Sequence, residues 1–168
     1  MKRHVGVGMD FSAGSEYALN WALSNLARHG DTVFLINVNS DVDYGEGALW
    51  MEEGAPLVPL EEIDNPSIML KYGIKFSADI LQQLRLAASQ KDLTVALKVY
   101  WGDARGKLCR AEVDLELHCL VVGSRGMGML KRAIMGSVSE YVISNAACPV
   151  TVIKSPQQCL ELEEVNDV

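Results

Sequence analysis

Residues 121–138 read VVGSRGMGMLKRAIMGSV, and this stretch is the most informative part of the sequence about the fold. Its apolar start is typical of a buried strand that ends at Gly123, and its last residues open a helix at Ser137. The loop between them contains Gly126, which reaches positive φ at little cost and can help to present N–H groups to a ligand. A strand, a glycine-bearing loop and a helix N-terminus in this order favour phosphate binding, because free N–H groups and the helix dipole attract an anion.

Basic residues within the same loop add positive charge to this expected site, namely Arg125, Lys131 and Arg132. The spacing of the glycines differs from the Walker loop, and no G-x-G-x-x-G follows the first strand, which argues against a P-loop NTPase or a dinucleotide dehydrogenase. A simpler interpretation stays open, in which ordinary loop glycines precede a capped helix. In either case Ser137 and Glu140 fit a capping box, which predicts the start of this helix.

Short apolar runs alternate with amphipathic segments along the rest of the chain. Strands linked by helices in this way predict a doubly wound parallel α/β sheet with right-handed crossovers. The strand at 93–101 alternates apolar and polar residues, as an edge strand does. The predicted strands are 5–10, 31–38, 93–101, 117–123 and 150–153, and the predicted helices are 12–29, 77–90, 103–115 and 137–146.

The acidic residues concentrate in an insert and a tail. Residues 41–66 hold eight acids and no Lys or Arg, and residues 161–168 hold four acids and no base, so the net charge of −7 hides a mildly basic remainder. The acidic balance argues against general nucleic-acid binding, whereas the basic remainder can hold a small anion. We therefore expect one domain over 1–154, with 41–66 as a lid or insert, and a flexible tail over 155–168.

The apolar runs are too short for a membrane span, and Cys109, Cys119, Cys148 and Cys159 contain no Cys-x-x-Cys pair. We expect buried free thiols rather than a zinc site or a disulfide framework. These features predict a cytoplasmic protein, which can also be nuclear.

Taken together, these motifs resemble the universal stress protein family, and the resemblance runs from His4 to Lys154. The nucleotide-binding branch of that family carries G-2x-G-9x-G-[S/T], and every fixed position is matched here by Gly123, Gly126, Gly136 and Ser137. Three further stretches are similar to single-domain plant members: DFS at 10–12, YWGDAR at 100–105 and CPVTVI at 148–153.

The resemblance implies a Rossmann-like sheet of five strands in the order 3-2-1-4-5, with its ligand at the switch point between the first and fourth strands. It implies an adenine nucleotide, ATP or AMP, with Mg²⁺ carried through the phosphates, and a homodimer through residues 148–153. Asp10 would lie near the ribose or base and the Val38 backbone near the adenine edge, although Asp10 can instead stabilise its own helix start. The implied nucleotide-binding residues are Gly8, Met9, Asp10, Val38, Gly123, Arg125, Gly126, Gly136, Ser137 and Val138.

The expected function is that of an adenine-nucleotide sensor or carrier that acts in stress responses through partners. A slow ATPase is the enzymatic alternative, although the loop at 123–138 supplies no evident base for phosphoryl transfer. An interaction module of the same fold with an empty pocket is the third possibility, and the intact glycine signature weighs against it. We further expect 41–66 to act as a flap beside the adenosine end of the site.

Overall fold

The computed structural model describes residues 1–40, 52–124 and 135–156. The strands within these ranges are β1 His4–Gly8, β2 Thr32–Asn39, β3 Val58–Pro59, β4 Thr94–Trp101, β5 Cys119–Gly123 and β6 Val150–Ile153. The α-helices are α1 Ala13–Trp21, α2 Pro66–Tyr72, α3 Ala78–Lys91, α4 Ala104–Asp114 and α5 Ser137–Asn145. A π-helical turn at Ala22–Leu26 continues α1, and a 3₁₀ turn covers Leu60–Glu62.

The sheet has the order β3-β4-β2-β1-β5-β6, in which β3 is antiparallel to β4 and the other pairs are parallel. The five parallel strands confirm the doubly wound prediction and its 3-2-1-4-5 order. The sixth strand was not predicted, and β4 is not the sheet edge that its alternating pattern indicated. Val58 pairs with Leu97 and Pro59 with Ala96 along β4. A very short strand that ends in proline, which lacks an N–H, is a common way to cover an edge.

Helices cover both faces of the sheet. Val33 and Leu35 of β2 belong to the core cluster beneath α1 and α3, whereas Phe34 and Ile36 belong to the cluster beneath α4 and α5. The second face of β4 is also covered, because Tyr100 is fully buried. The alternation in β4 therefore marks two packed faces, not one packed face and one solvent face.

Side-chain caps determine where three of the predicted helices begin. Ser12 accepts a hydrogen bond from the N–H of Ser15, Ser77 caps α3 and Asp103 caps α4, at the first residues of the predicted helices 12–29, 77–90 and 103–115. The predicted end of the first helix was wrong, since the helical turns stop at Leu26 and not near His29. Lys91 accounts for the early end, because its Nζ donates to the carbonyls of Leu23 and Ala27 and holds the chain where it leaves the helix.

The described half of the acidic insert lies along the far edge of the sheet. Ala55 donates its N–H to the Val99 carbonyl at 2.8 Å, and Lys98 Nζ donates to the Ala55 carbonyl at 2.7 Å. Leu60 and Ile63 are buried in the core. Residues 52–66 are thus docked on β4 by apolar side chains that lie between the acids, and the expected flap is wrong for this half. Residues 41–51 lie outside the described part of the chain, as do residues 157–168 of the tail.

No helix in the described ranges is long and apolar enough to cross a membrane. Cys109, Cys119 and Cys148 are free thiols, each partly buried, and Cys159 lies outside those ranges. Burial raises the pKa of the Cys148 thiol to about 11, and the nearby Glu112 carboxylate adds to this effect. Such a thiol is largely protonated at neutral pH.

Candidate functional site

A cleft of about 250 Å³ opens at the carboxyl ends of β1 and β5. Its walls include the first turns of α4 and α5, and Ile36 and Val38 of β2 contribute an apolar side. This is the switch point of the sheet, where open α/β folds hold their ligands. The lining residues are Gly8, Met9, Asp10, Ser15, Ile36, Val38, Ala104, Leu108, Val122, Gly123, Gly136, Ser137, Val138 and Ser139.

The structure brings most of the predicted site residues together around this cleft. Arg125 and Gly126 are the exceptions, because both lie outside the described residues. The role of each residue as a nucleotide ligand stays a prediction. The residues that meet at the cleft are Gly8, Met9, Asp10, Val38, Gly123, Gly136, Ser137 and Val138.

Gly8 and Met9 border the cleft in different ways. A Cβ atom on Gly8 would lie 3.3 Å from Val122 Cγ1 and 3.7 Å from Leu108 Cδ2, so the glycine keeps this part of the wall open. The Met9 side chain is buried in the core on the opposite face of the sheet. Its main chain is also engaged, since its N–H donates to Ile36 and its carbonyl accepts from Asn37 Nδ2, both at 2.8 Å.

Asp10 turns the chain from β1 into α1. Its Oδ1 accepts hydrogen bonds from the N–H of Ser12, at 3.0 Å, and from the Ser12 hydroxyl. Phe11 between them has a φ of 63°, a left-handed conformation that is unfavourable for a bulky residue. The Phe11 ring packs edge-on against Phe76 at a centroid distance of 5.1 Å, which helps to hold this turn. The helix-start role of Asp10 is therefore present, and the exposed carboxylate still borders the cleft.

The N-terminus of α5 differs from the capping box expected at Ser137. The N-cap residue is Gly136, and no side chain caps it, so Ser137 is the first helical residue. The cause lies in the main chain, because the Gly136 N–H donates to the Ser124 carbonyl at 2.5 Å. Ser139 Oγ donates to the carbonyls of Ser124 and Gly136, both at 3.0 Å. These bonds place the N-cap at Gly136, one residue before the predicted cap at Ser137.

This uncapped start distinguishes α5 from the other described α-helices. Side chains of Ser12, Asn65, Ser77 and Asp103 accept main-chain N–H groups at the starts of α1, α2, α3 and α4. The first turn of any α-helix has N–H groups without partners inside the helix. In α5 this turn, at residues 137–139, borders the cleft with no side-chain cap from the part of the chain that the structure describes, and its N–H groups can receive an anion.

Sequence reasoning missed the contribution of α4 to the site. Ala104 and Leu108 line the cleft one helical turn apart, where the prediction assigned the helix no part in the site. The available signal was position, since α4 starts directly after β4 at the same edge of the sheet as Gly8 and Gly123. The other missed lining residues are Ser15, Ile36, Val122 and Ser139.

The described residues contain no group of three or more His, Cys, Asp or Glu side chains arranged to hold a metal ion. The described groups that line the cleft are main-chain donors, hydroxyl groups, the Asp10 carboxylate and an apolar wall.

A family model described as "Universal stress protein family" matches residues 1–154. The chain belongs to the universal stress protein family. The relatives of this universal stress protein include PHOS32 and PHOS34 of Arabidopsis thaliana, each 32% identical and each aligned over 92% of this chain. The alignments cover 66% of PHOS32 and 63% of PHOS34, so this universal stress protein spans just under two thirds of the length of these relatives.

Solved structures with the same fold include three universal stress proteins. UspA from Lactobacillus plantarum superposes with a TM-score of 0.63 at 20% identity, covering 90% of this chain and 97% of that one. A family member from Arabidopsis thaliana with AMP bound gives 0.55 at 19% identity, with coverages of 90% and 91%. A universal stress protein in complex with cAMP gives 0.51 at 17% identity, with coverages of 90% and 95%. At these identities the likeness establishes the fold.

Proposed function

We propose that this universal stress protein binds an adenine nucleotide in the cleft, with its phosphates at the N-terminus of α5. The observation that carries the proposal is the uncapped first turn of α5, which borders the cleft at the switch point of the sheet. Main-chain N–H groups and the positive end of the helix dipole together favour a phosphate at such a position.

The two sides of the cleft suit the two ends of a nucleotide. Ile36, Val38, Leu108 and Val122 form an apolar side, which suits the flat adenine ring. Gly8, Met9 and Asp10 lie at the end of β1, between β2 and β5, and are proposed to border the ribose. The proposed phosphate ligands are Gly123, Arg125, Gly126, Gly136, Ser137 and Val138. The AMP and cAMP found in two structural neighbours support this class of ligand.

We propose ATP or AMP as the nucleotide, and a role as a sensor or carrier in stress responses through protein partners. We expect Mg²⁺ to enter with the phosphates of the nucleotide. Phosphate oxygens and water are ligands that Mg²⁺ prefers, so a triphosphate can bring the ion with it.

Substitutions of Ser137 test the phosphate position. Ser137 is exposed at the first position of α5, so Ser137→Asp should fold. The interaction of its negative charge with the helix dipole should stabilise the protein by about 0.3–1 kcal/mol. The same charge should repel a phosphate. We expect Ser137→Asp to weaken ATP and AMP binding about tenfold or more by calorimetry, which corresponds to about 1.4 kcal/mol.

Ser137→Asn is the matched control, because it has the same shape without the charge. We expect it to change the affinity less than about threefold, or roughly 0.7 kcal/mol. Equal affinities for wild type and Ser137→Asp would place the phosphates elsewhere. If the wild type itself binds no adenine nucleotide, the proposed function is wrong.

We also propose a homodimer through residues 148–153. Among the described strands, β6 lies at the end of the sheet opposite β3, so one side of its main chain has no strand neighbour within this chain. A second copy can satisfy that edge by an isologous contact. Sedimentation of the full chain should give twice the mass of one chain, and a single-chain mass at micromolar concentration would contradict the proposal.

For location, we propose the cytoplasm, with the nucleus as a second compartment. The three cysteines in the described ranges are free thiols, as is usual in reducing compartments.

A further inference from the structure

The first turn of α4, which contributes Ala104 to the cleft, also carries a charged pair, Asp103 and Arg105. Ala104 lines the cleft, and Arg105 is the next residue of the same turn. The Arg105 guanidinium binds the Asp103 carboxylate in a bidentate manner: Nε donates to Oδ1 at 3.1 Å, and Nη2 donates to Oδ2 at 2.7 Å. Both side chains are about half exposed, so the pair is in contact with solvent.

Arg105 extends from α4 towards the helix proposed to hold the phosphates. Its guanidinium carbon lies 5.8 Å from the centre of the Tyr141 ring on α5. Tyr141 is four residues after Ser137, so the two side chains share a helix face about 6 Å apart along the axis. The guanidinium therefore lies beside the first turn of α4 and the second turn of α5, one helical turn from Ser137.

The bond between Arg105 and Asp103 is one that a phosphate can replace. The guanidinium lowers the pKa of the Asp103 carboxyl, and the Arg105 main-chain N–H lowers it further, so the carboxylate is charged at neutral pH. An exposed ion pair contributes little stability, because solvent screens it. Arginine binds phosphate oxygens with the same two-pronged geometry that it uses for a carboxylate. Asp103 keeps its second role, as the cap that accepts the Arg105 N–H at 2.9 Å, when the guanidinium turns away.

We propose that Arg105 determines specificity for nucleotides with more than one phosphate, by exchanging the Asp103 carboxylate for the β- or γ-phosphate. The inference rests on the proposed function, which places the α-phosphate at α5. An AMP phosphate is held at α5 alone and does not need the guanidinium. ADP and ATP extend beyond α5 to the rim, where Arg105 meets them.

Calorimetric titration of the full chain with AMP, ADP and ATP tests this inference. Arg105→Gln should weaken ATP binding about tenfold, the loss of a charge-assisted contact, and should leave AMP binding within about twofold of wild type. Asp103→Asn should have the opposite effect. Asparagine keeps the helix cap but removes the charge that competes for Arg105, so ATP should bind severalfold more tightly and AMP as before.

Arg110→Gln is the matched control on the same helix. Arg110 is equally exposed and is paired with Asp114 at 2.7 Å, but it lies more than one helical turn further along α4. It should leave all three affinities unchanged. An unchanged ATP affinity in Arg105→Gln, or an equal loss for AMP and ATP, would overturn the inference. Nucleotide binding by wild type would in that case still support the proposed function. Failure of wild type to bind any of the three would overturn both.

Discussion

At the amino ends of the parallel strands, the buried Asp31 carboxylate accepts hydrogen bonds from Arg3 Nε at 3.2 Å and from the Arg28 N–H at 2.8 Å. At their carboxyl ends, α5 begins without a side-chain cap, and the buried Oδ1 of Asn37 accepts no hydrogen bond from the described residues. Polar groups at the amino ends of the strands thus have hydrogen-bond partners, whereas at the carboxyl ends some have none among the described residues.

Further contacts strengthen the contrast. At the amino end, His4 donates its N–H to His118 Nδ1 at 3.0 Å, and Lys91 Nζ satisfies two carbonyls where the first helix ends. At the carboxyl end, Phe11 has a left-handed backbone beside the cleft. Unsatisfied groups and backbone strain persist where the surrounding structure supports them, and they concentrate at binding sites. The amino end therefore has the better satisfied polar groups, and the carboxyl end is where we propose that the nucleotide binds.

The largest effect should come from breaking the ion pair at the amino end. Asp31→Asn removes the charge that compensates the partly buried Arg3, and we expect a loss of about 3 kcal/mol in the free energy of unfolding. Urea denaturation measures this loss. Because the pair lies at the opposite end of the sheet from the cleft, the ATP dissociation constant should not change.

Asp64→Asn provides the control, because Asp64 pairs with Arg85 at 2.6 Å but both side chains are exposed. Its unfolding curve should match that of wild type, since exposed pairs contribute little. A large loss of ATP affinity in Asp31→Asn would show that the two ends are coupled, and the comparison would fail.

A smaller effect is expected at the carboxyl end for Ser139→Ala. The buried hydroxyl holds the carbonyls of Ser124 and Gly136 together, and its loss should cost about 1 kcal/mol of stability. Because the start of α5 is then less well held, ATP should also bind a fewfold more weakly. Calorimetry and urea denaturation of the same preparation give both values.

Ser144→Ala is the matched variant for this experiment. Ser144 lies on the same helix and donates to the Glu140 carbonyl at 3.1 Å, but it is exposed and distant from the cleft. It should change neither stability nor affinity. If both serine variants behave alike, the Ser139 bonds do not organise the site.

The smallest effect is a change of stability with pH at the amino end. Burial raises the pKa of Asp31, but hydrogen bonds from Arg3 and from the Arg28 N–H outweigh it and lower the pKa below 3.8. A lowered pKa in the folded state stabilises the protein above the unfolded value, and this contribution is lost as pH falls through the folded pKa. Wild type should therefore lose stability below about pH 3.8 in excess of any loss in Asp31→Asn. Parallel urea curves for the two proteins across that range would contradict the assignment.

Much of the fold was predictable because its signals are local. Ser12, Ser77 and Asp103 each cap the helix that they precede, and apolar runs mark the parallel strands. Neighbouring residues in the chain decide these features. The glycines at 123 and 136 also pointed to the cleft that they line, because the topology brings strand ends and helix starts to one edge.

The errors lie where a distant residue decides the outcome. Ser137 and Glu140 fit a capping box, but the Ser124 carbonyl takes the Gly136 N–H and starts the helix earlier. The strand at 58–59 forms because β4 offers an open edge, which its own sequence does not reveal. Ala104 and Leu108 join the site through tertiary packing, and no motif within α4 indicates this role.

The hydrogen bond from the Gly136 N–H to the Ser124 carbonyl also joins the two ends of the loop between β5 and α5. The separation of Ser124 and Gly136 is held by this main-chain bond and by Ser139 Oγ, which donates to both carbonyls. The entropic cost of closing a chain rises slowly, by about 0.6 kcal/mol when its length doubles. Because these contacts hold the end of β5 next to the start of α5, we expect a change in the length of this segment to cost little in loop-closure entropy.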